Sequence, residues 1–160
     1  MKYHRLTTEQ LHELDAEFSI FLATQGIDNK MWESFKKNNL EHVDNLLDQF
    51  SDVIWETLFQ KCKYLDFSTQ NYLYLFNTPN DKAEVIILQV TKSNCDLTTK
   101  DGFLWALNNL QKDEVVLYHS YREYLTSREL FLYEYLKKGA EISKGKQFNV
   151  LKSYFSNSVK

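Results

Sequence analysis

The sequence predicts an α+β protein: an N-terminal three-helix segment packed with a small mixed sheet of about four strands, one hairpin among them, and C-terminal helices. Three observations lead there. Apolar residues keep the 3.6-residue period of a helix from Leu11 to Leu58, the pattern turns alternating and β-branched after Lys63, and 160 residues hold only four glycines and one proline. So few chain-breaking residues argue against a β-sandwich and against a phosphate loop built on glycine.

Thr7 followed by Gln10 is a capping-box signature, in which hydroxyl and amide each satisfy one orphan donor at a helix start. Leu11, Leu14, Phe18, Phe21 and Leu22 follow at helical spacing, and Gly26 suits the left-handed position just past the end. Asp28 caps a second helix with Met31, Trp32 and Phe35 on its apolar face, ending near Asn38-Asn39. A third helix runs from about Leu40 to Cys62 on Val43, Leu46, Leu47, Phe50, Val53, Ile54 and Leu58. Asn71–Asn77 and Ala83–Thr91 alternate and are rich in aromatic and β-branched residues. With T-P-N-D between them they read as an antiparallel hairpin. A helix from Lys100 to Leu110 comes next, with Phe103, Leu104 and Leu107 inward, then a strand at Glu114–His119. Thr126 and Glu129 make a second capping box for a helix that stops at Gly139. A short strand at Ala140–Ile142 and a helix from Lys146 to Phe155 close the order.

The length suits one domain, 1–160, with a helical part (1–62) and a strand/helix part (63–160). A chain of this size buries roughly 70% of its unfolded surface. With 43% hydrophobic, 15% aromatic and 26% charged residues the composition is that of a folded protein. The net charge of −3 is unevenly spread: −6 over residues 1–60, −1 over 61–126 and +4 over 127–160. Solvated helix faces account for such a spread more often than a charged partner does. Cys62 and Cys95 form neither a C-x-x-C pair nor a disulfide framework. No apolar run approaches the ~20 residues of a membrane span, and no signal region follows the first basic residues. The expectation is a cytoplasmic protein with no membrane partner.

Several chemical motifs are incomplete. His12-Glu13 begins a zinc-binding H-E-x-x-H, but Ala16 stands where the second imidazole belongs. G-A-E-I-S-K-G-K at 139–146 has five residues between glycines where a phosphate loop has four, and Gln147 in place of the magnesium-binding hydroxyl. A helix cap and a turn explain it better. Gln89-Val90-Thr91-Lys92 would be a nuclease strand end had Gln89 been a carboxylate. No metal site, no cofactor and no catalytic residue is assigned. The basic tail (Lys137, Lys138, Lys144, Lys146, Lys152, Lys160) interleaves with Phe148, Tyr154 and Phe155. Yet Phe148, Leu151 and Phe155 are spaced as the buried stripe of a helix, which makes nucleic acid an unlikely partner.

The densest cluster of functional side chains is L-Y-H-S-Y-R-E-Y-L at 117–125, and Tyr118, His119, Tyr121, Arg122 and Glu123 are its candidate ligand- or partner-binding residues. If the strand continues to Tyr124, Tyr118, Ser120, Arg122 and Tyr124 share one face and His119, Tyr121, Glu123 and Leu125 the other. One face then offers a guanidinium between phenols, suited to an anion. The second offers an imidazole with a carboxylate and a phenol, suited to acid/base work. A strand ending near His119 would let both sets converge.

Met1-Lys2-Tyr3-x-Arg5-Leu6, the Gln25-Gly26-Ile27 junction with Trp32 five residues after Ile27, and Gly139-Ala140-x-Ile142 before the last helix resemble a family of short Bacteroidetes proteins classed as a domain of unknown function. The resemblance covers most of the chain. It implies a standalone bacterial cytosolic protein and carries over no catalytic residues. The leading expectation is a non-catalytic interaction protein that binds a protein partner or self-associates as a homo-oligomer through its acidic helical part and exposed aromatics. A small enzyme or ligand-binding domain using the 118–124 cluster is the alternative, and a weak nucleic-acid binder the third.

Overall fold

A computed structural model describes residues 2–91 and 94–158. The chain divides into two compact units, Met1–Gln60 and Lys61–Lys160. Lys92 of the nuclease-like strand end and Lys160 of the basic tail lie outside the described residues.

The first unit is helical: α1 (Thr8–Glu13), α2 (Asp15–Thr24), α3 (Asn29–Asn38) and α4 (Leu40–Lys61). The expected first helix is two, because the Leu14 N–H is shared between the carbonyls of Gln10 and Leu11 and tightens the chain there. Its capping box is present, with Thr7 and Gln10 each accepting the other's backbone N–H. Gly26, at φ +74°, ends α2 in a Schellman motif in which the Ile27 N–H reaches the Leu22 carbonyl. Asp28 caps α3 through the Met31 N–H at 2.8 Å. Leu22, Ile27 and Leu46 form a core walled by Phe18, Phe21, Trp32 and Phe35.

Four acidic residues of α4, Asp44, Asp48, Asp52 and Glu56, follow at every fourth position and share one face. The N-terminal segment lies along it. Asp52 accepts the backbone N–H groups of Lys2 and Tyr3, Arg5 pairs with Asp44 and Asp48, and Lys2 Nζ pairs with Glu56 at 2.9 Å. Ser51 Oγ accepts the Leu6 N–H, and Trp55 Nε1 donates to the His4 carbonyl. Tyr3 and Leu6 are buried. Part of this unit's acid is therefore matched from within.

The second unit is a five-stranded sheet with three helices: β1 (Tyr64–Ser68), β2 (Tyr72–Asn77), β3 (Lys82–Val90), α5 (Lys100–Asn108), β4 (Val115–Glu123), α6 (Arg128–Lys137), β5 (Glu141–Ser143) and α7 (Lys146–Ser158). The fold class is α+β. The sheet has order β4-β3-β2-β1-β5 and every pairing is antiparallel, where a mixed sheet of about four strands was expected. β4 and β5 each arrive after a helix, a connection long enough for parallel pairing, but each runs against its neighbour. β1 is the strand that periodicity does not disclose, since it starts three residues after α4 ends.

Directly opposed residues share a face, so the register sorts the sheet. One face carries Leu73, Leu75, Ile86, Leu88, Val90 and Val115 into the main core, closed by Phe103 and Ala106 of α5 and Phe148 and Leu151 of α7. Leu104, expected inward on α5, is largely exposed and Ala106 takes the buried place. The opposite face carries Phe67, Tyr74 and Phe76, and α6 lies there, with Phe131 and Tyr135 against Phe76. The cap of α6 is Ser127, one residue later than the sequence suggests, through the Leu130 N–H. Arg128 then donates to the carbonyls of Thr78 and Cys62, tying the helix start to the hairpin turn.

The two glycines of the loop-like motif have separate backbone roles. Gly139 (φ +105°) ends α6, β5 lies between the pair, and Gly145 (φ +79°) passes against the Tyr64 ring, where a Cβ would sit 2.6 Å from ring carbons.

Candidate interaction edge

β4 does not stop near His119; it runs to Glu123, paired without interruption from Val115↔Val90 to Glu123↔Lys82. Antiparallel ladders alternate hydrogen-bonded and non-hydrogen-bonded pairs. The Thr91 N–H donates to the Glu114 carbonyl at 2.9 Å in the same register, which makes that pair hydrogen-bonded and sets the alternation. Val116, Tyr118, Ser120 and Arg122 therefore turn their backbone groups toward β3. Leu117, His119, Tyr121 and Glu123 turn theirs away from it, off the edge of the sheet. Residues 118–123 are exposed on both faces, Tyr121 at 56%.

The strand divides the candidate residues. His119, Tyr121 and Glu123 stand on the face of α7, and Tyr118 and Arg122 on the face of α6. His119 Nε2 lies 2.8 Å from Glu84 Oε1, and Lys152 Nζ of α7 lies 3.0 Å from the same oxygen. Glu84 is 7% exposed. Burial pushes its carboxyl upward, but the hydrogen bonds and charges of Lys152 and His119 outweigh that and hold it below the ordinary glutamate value. The His119 ring also touches Tyr121 and Phe155, with centroids 5.4 Å away in each case, and Lys82 stands over the Tyr121 ring.

On the other face, Arg122 Nη1 donates to the Tyr135 hydroxyl at 3.0 Å. Gln89 Nε2 donates to the Tyr72 hydroxyl and Gln89 Oε1 accepts from Tyr118, so the residue standing where a nuclease would carry a carboxylate is held between two phenols. Arg122, Glu123, Leu125, Leu130, Phe131 and Tyr135 line an open groove of about 370 Å³ with mostly apolar walls. Leu125 is fully exposed at its lip. Tyr124 donates to the Pro79 carbonyl at 2.6 Å, and burial pushes its hydroxyl up to about 12.

At the other end of the sheet a cavity of about 310 Å³ is lined by Asp66, Ser68, Thr99, Lys100, Glu141 and Gln147, among others. Asp66 and Glu141 oppose each other on β1 and β5. Burial raises the Asp66 carboxyl above its ordinary value and the Glu141 charge adds to the rise, against the Ser143 hydroxyl that donates to it at 3.0 Å. Among the described residues no group of three or more His, Cys, Asp or Glu side chains is placed to hold a metal ion.

Sequence reasoning found the β4 residues but missed the partners that fix them. Glu84 had one signal, a lone carboxylate inside the most β-branched run. Lys152 was visible only as one lysine of a helix's wet face. Asp66 carried no signal without β1.

No curated protein and no solved structure matches the chain. The family match spans nearly the whole length: the chain belongs to the family of unknown function DUF6495, matched over residues 1–156.

Proposed function

We propose that this is a non-catalytic interaction protein that receives an extended segment of a protein partner along the outer edge of β4. One observation carries the reading: β4 is a long edge strand whose outward N–H and C=O groups, at Leu117, His119, Tyr121 and Glu123, are presented on an exposed stretch without a bulge or proline. Proteins ordinarily blunt such edges, because they template pairing with another chain. Strand addition satisfies these groups with backbone bonds and takes specificity from side-chain contacts on alternating sides. Tyr118, Tyr121 and the apolar groove beneath Leu125 supply such contacts, aromatic residues being favoured at interfaces. Two buried cysteines that are not joined in a disulfide fit action in a reducing, cytoplasmic compartment. The set that could have formed one catalytic pocket is spread over opposite faces, with the imidazole paired to Glu84 on one and the guanidinium to Tyr135 on the other. The two arginines beyond residue 121 are both engaged, Arg122 with a phenol and Arg128 with backbone carbonyls, which leaves nucleic-acid readout without its usual donors.

Amide hydrogen exchange, read residue by residue on the protein alone and with proteins that co-purify with it, tests this. The expected result is protection gained at Leu117, His119, Tyr121 and Glu123 while the neighbouring even-numbered amides, already bonded to β3, change little. Binding that protects other surfaces and leaves those four amides unchanged overturns the proposal.

A further inference from the structure

Resting on that reading, we infer that the strand received by β4 is β4 of a second copy of this chain, antiparallel to it about a two-fold axis at Tyr121. Two constraints lead to this. The first is backbone parity. Only outward-facing residues can form hydrogen-bonded pairs across the new edge, so odd-numbered residues must oppose odd-numbered ones and the axis must fall on a residue, not between two.

The second is the side chains that each axis brings together. An axis at His119 sets imidazole against imidazole and leaves Glu123 opposite Val115. An axis at Ser120 sets Leu117 against Glu123. An axis at Tyr121 sets His119 of each copy opposite Glu123 of the other, twice by symmetry, with Tyr121 facing its own copy and Ser120 facing Arg122. An imidazole beside a carboxylate can hydrogen-bond and paired aromatics are favourable across strands, while like charges are avoided. Continued past the strand end, the same axis brings Tyr124 to Tyr118 and Leu125 to Leu117, covering the fully exposed leucine. Of the registers that satisfy the backbone, the one centred on Tyr121 is thus the one in which the segment is complementary to itself.

A single strand pair buries less than the ~1,200 Å² of a standard stable interface, so the dimer forms and dissociates with concentration. The test uses the full chain in analytical ultracentrifugation over a wide concentration range. The expected result is a monomer when dilute and twice the chain mass when concentrated. Tyr121→Pro removes an outward N–H while keeping the β3–β4 ladder, an edge position that tolerates proline. It is expected to leave the far-ultraviolet circular dichroism unchanged and to abolish the dimer. Should that variant not fold, Tyr121→Lys, which sets two ammonium groups face to face on the axis, is expected to weaken association at least about tenfold. Tyr121→Cys is expected to give a covalent dimer on mild oxidation, because hydrogen-bonded pairs lie about 5.5 Å apart, within disulfide reach. Ser120→Cys stays uncrosslinked.

A monomer at every concentration overturns the inference, as does a dimer that survives Tyr121→Pro or Tyr121→Lys. So does crosslinking through position 120 instead of 121. If the chain stays monomeric while a different protein protects the odd-numbered β4 amides, self-pairing falls and strand addition stands. If neither occurs, both fall.

Discussion

The sheet ends on one side in β5, three residues long, and on the other in β4, nine residues long. β5 is too short to template a further strand and carries Glu141 toward solvent, the ordinary ways of closing an edge. β4 lacks the first safeguard, and the charged Arg122 and Glu123 stand only at the end of its exposed stretch. The electrostatics diverge in parallel. Beside β4, Glu84 is held by Lys152 and His119 and its carboxyl is depressed. Beside β5, Asp66 faces another carboxylate in a partly buried place and its carboxyl is raised. The contrast teaches that an open edge here coexists with a well-matched interior around it, while the closed edge sets two carboxylates opposite each other.

Proline at Ser120 gives the largest effect. Its N–H points to β3, so Ser120→Pro removes a ladder bond and is expected to cost about 3 kcal/mol or more in denaturant unfolding. Against the tolerated proline at Tyr121, this measures the two sides of β4 directly. Equal costs at 120 and 121 would contradict the alternation of backbone groups.

Glu84→Gln comes next, at about 1–2 kcal/mol at neutral pH, because two charge-assisted hydrogen bonds weaken together. The pH dependence has a definite sign. A folded carboxyl below its unfolded value contributes stability that is fully present above about pH 5, and that contribution is lost as pH falls through the depressed folded value. The variant should show a flatter acid limb in chemical denaturation from pH 7 to pH 3. An unchanged limb would show that Lys152 and His119 do not hold the charge.

The smallest effect, of opposite direction, is expected at Asp66→Asn. Its folded value lies above its unfolded one, so the ionised carboxylate costs stability, and that cost grows as pH rises past the ordinary aspartate value. Removing the charge while leaving an acceptor for Ser143 is expected to raise the melting temperature by roughly 1–2 °C at neutral pH and to do nothing at low pH. A lower melting temperature at neutral pH would mean that the Asp66 charge is stabilised by something other than the hydroxyl.

The helices were legible because their signals are local. The Thr7 and Asp28 caps, Gly26 and the long apolar stripe of α4 each sit within a few residues of what they determine. The hairpin was legible for the same reason, since proline and alternation adjoin. β1 was hidden because five residues with Asp66 at the centre resemble a linker, and its strand character comes from β2 and β5, the latter more than 70 residues away in sequence. The length of β4 was hidden because an edge strand with exposed faces has no apolar alternation to betray it; its strand character comes from β3. The candidate residues could be named from type alone, but their division between two faces, and the pairing of His119 with a carboxylate 35 residues earlier, depend on register.

The N-terminal segment clasped by Asp44, Asp48, Asp52 and Glu56 has a consequence in time. During synthesis at about 5–20 residues per second, Tyr3 and Leu6 leave the ribosome about 2–10 seconds before the α4 residues that will cover them. Their N–H groups and apolar side chains wait in water until Asp52 and Ser51 arrive. The earliest part of this unit to be made is thus among the last to settle, and α4 is the element whose completion ends the wait.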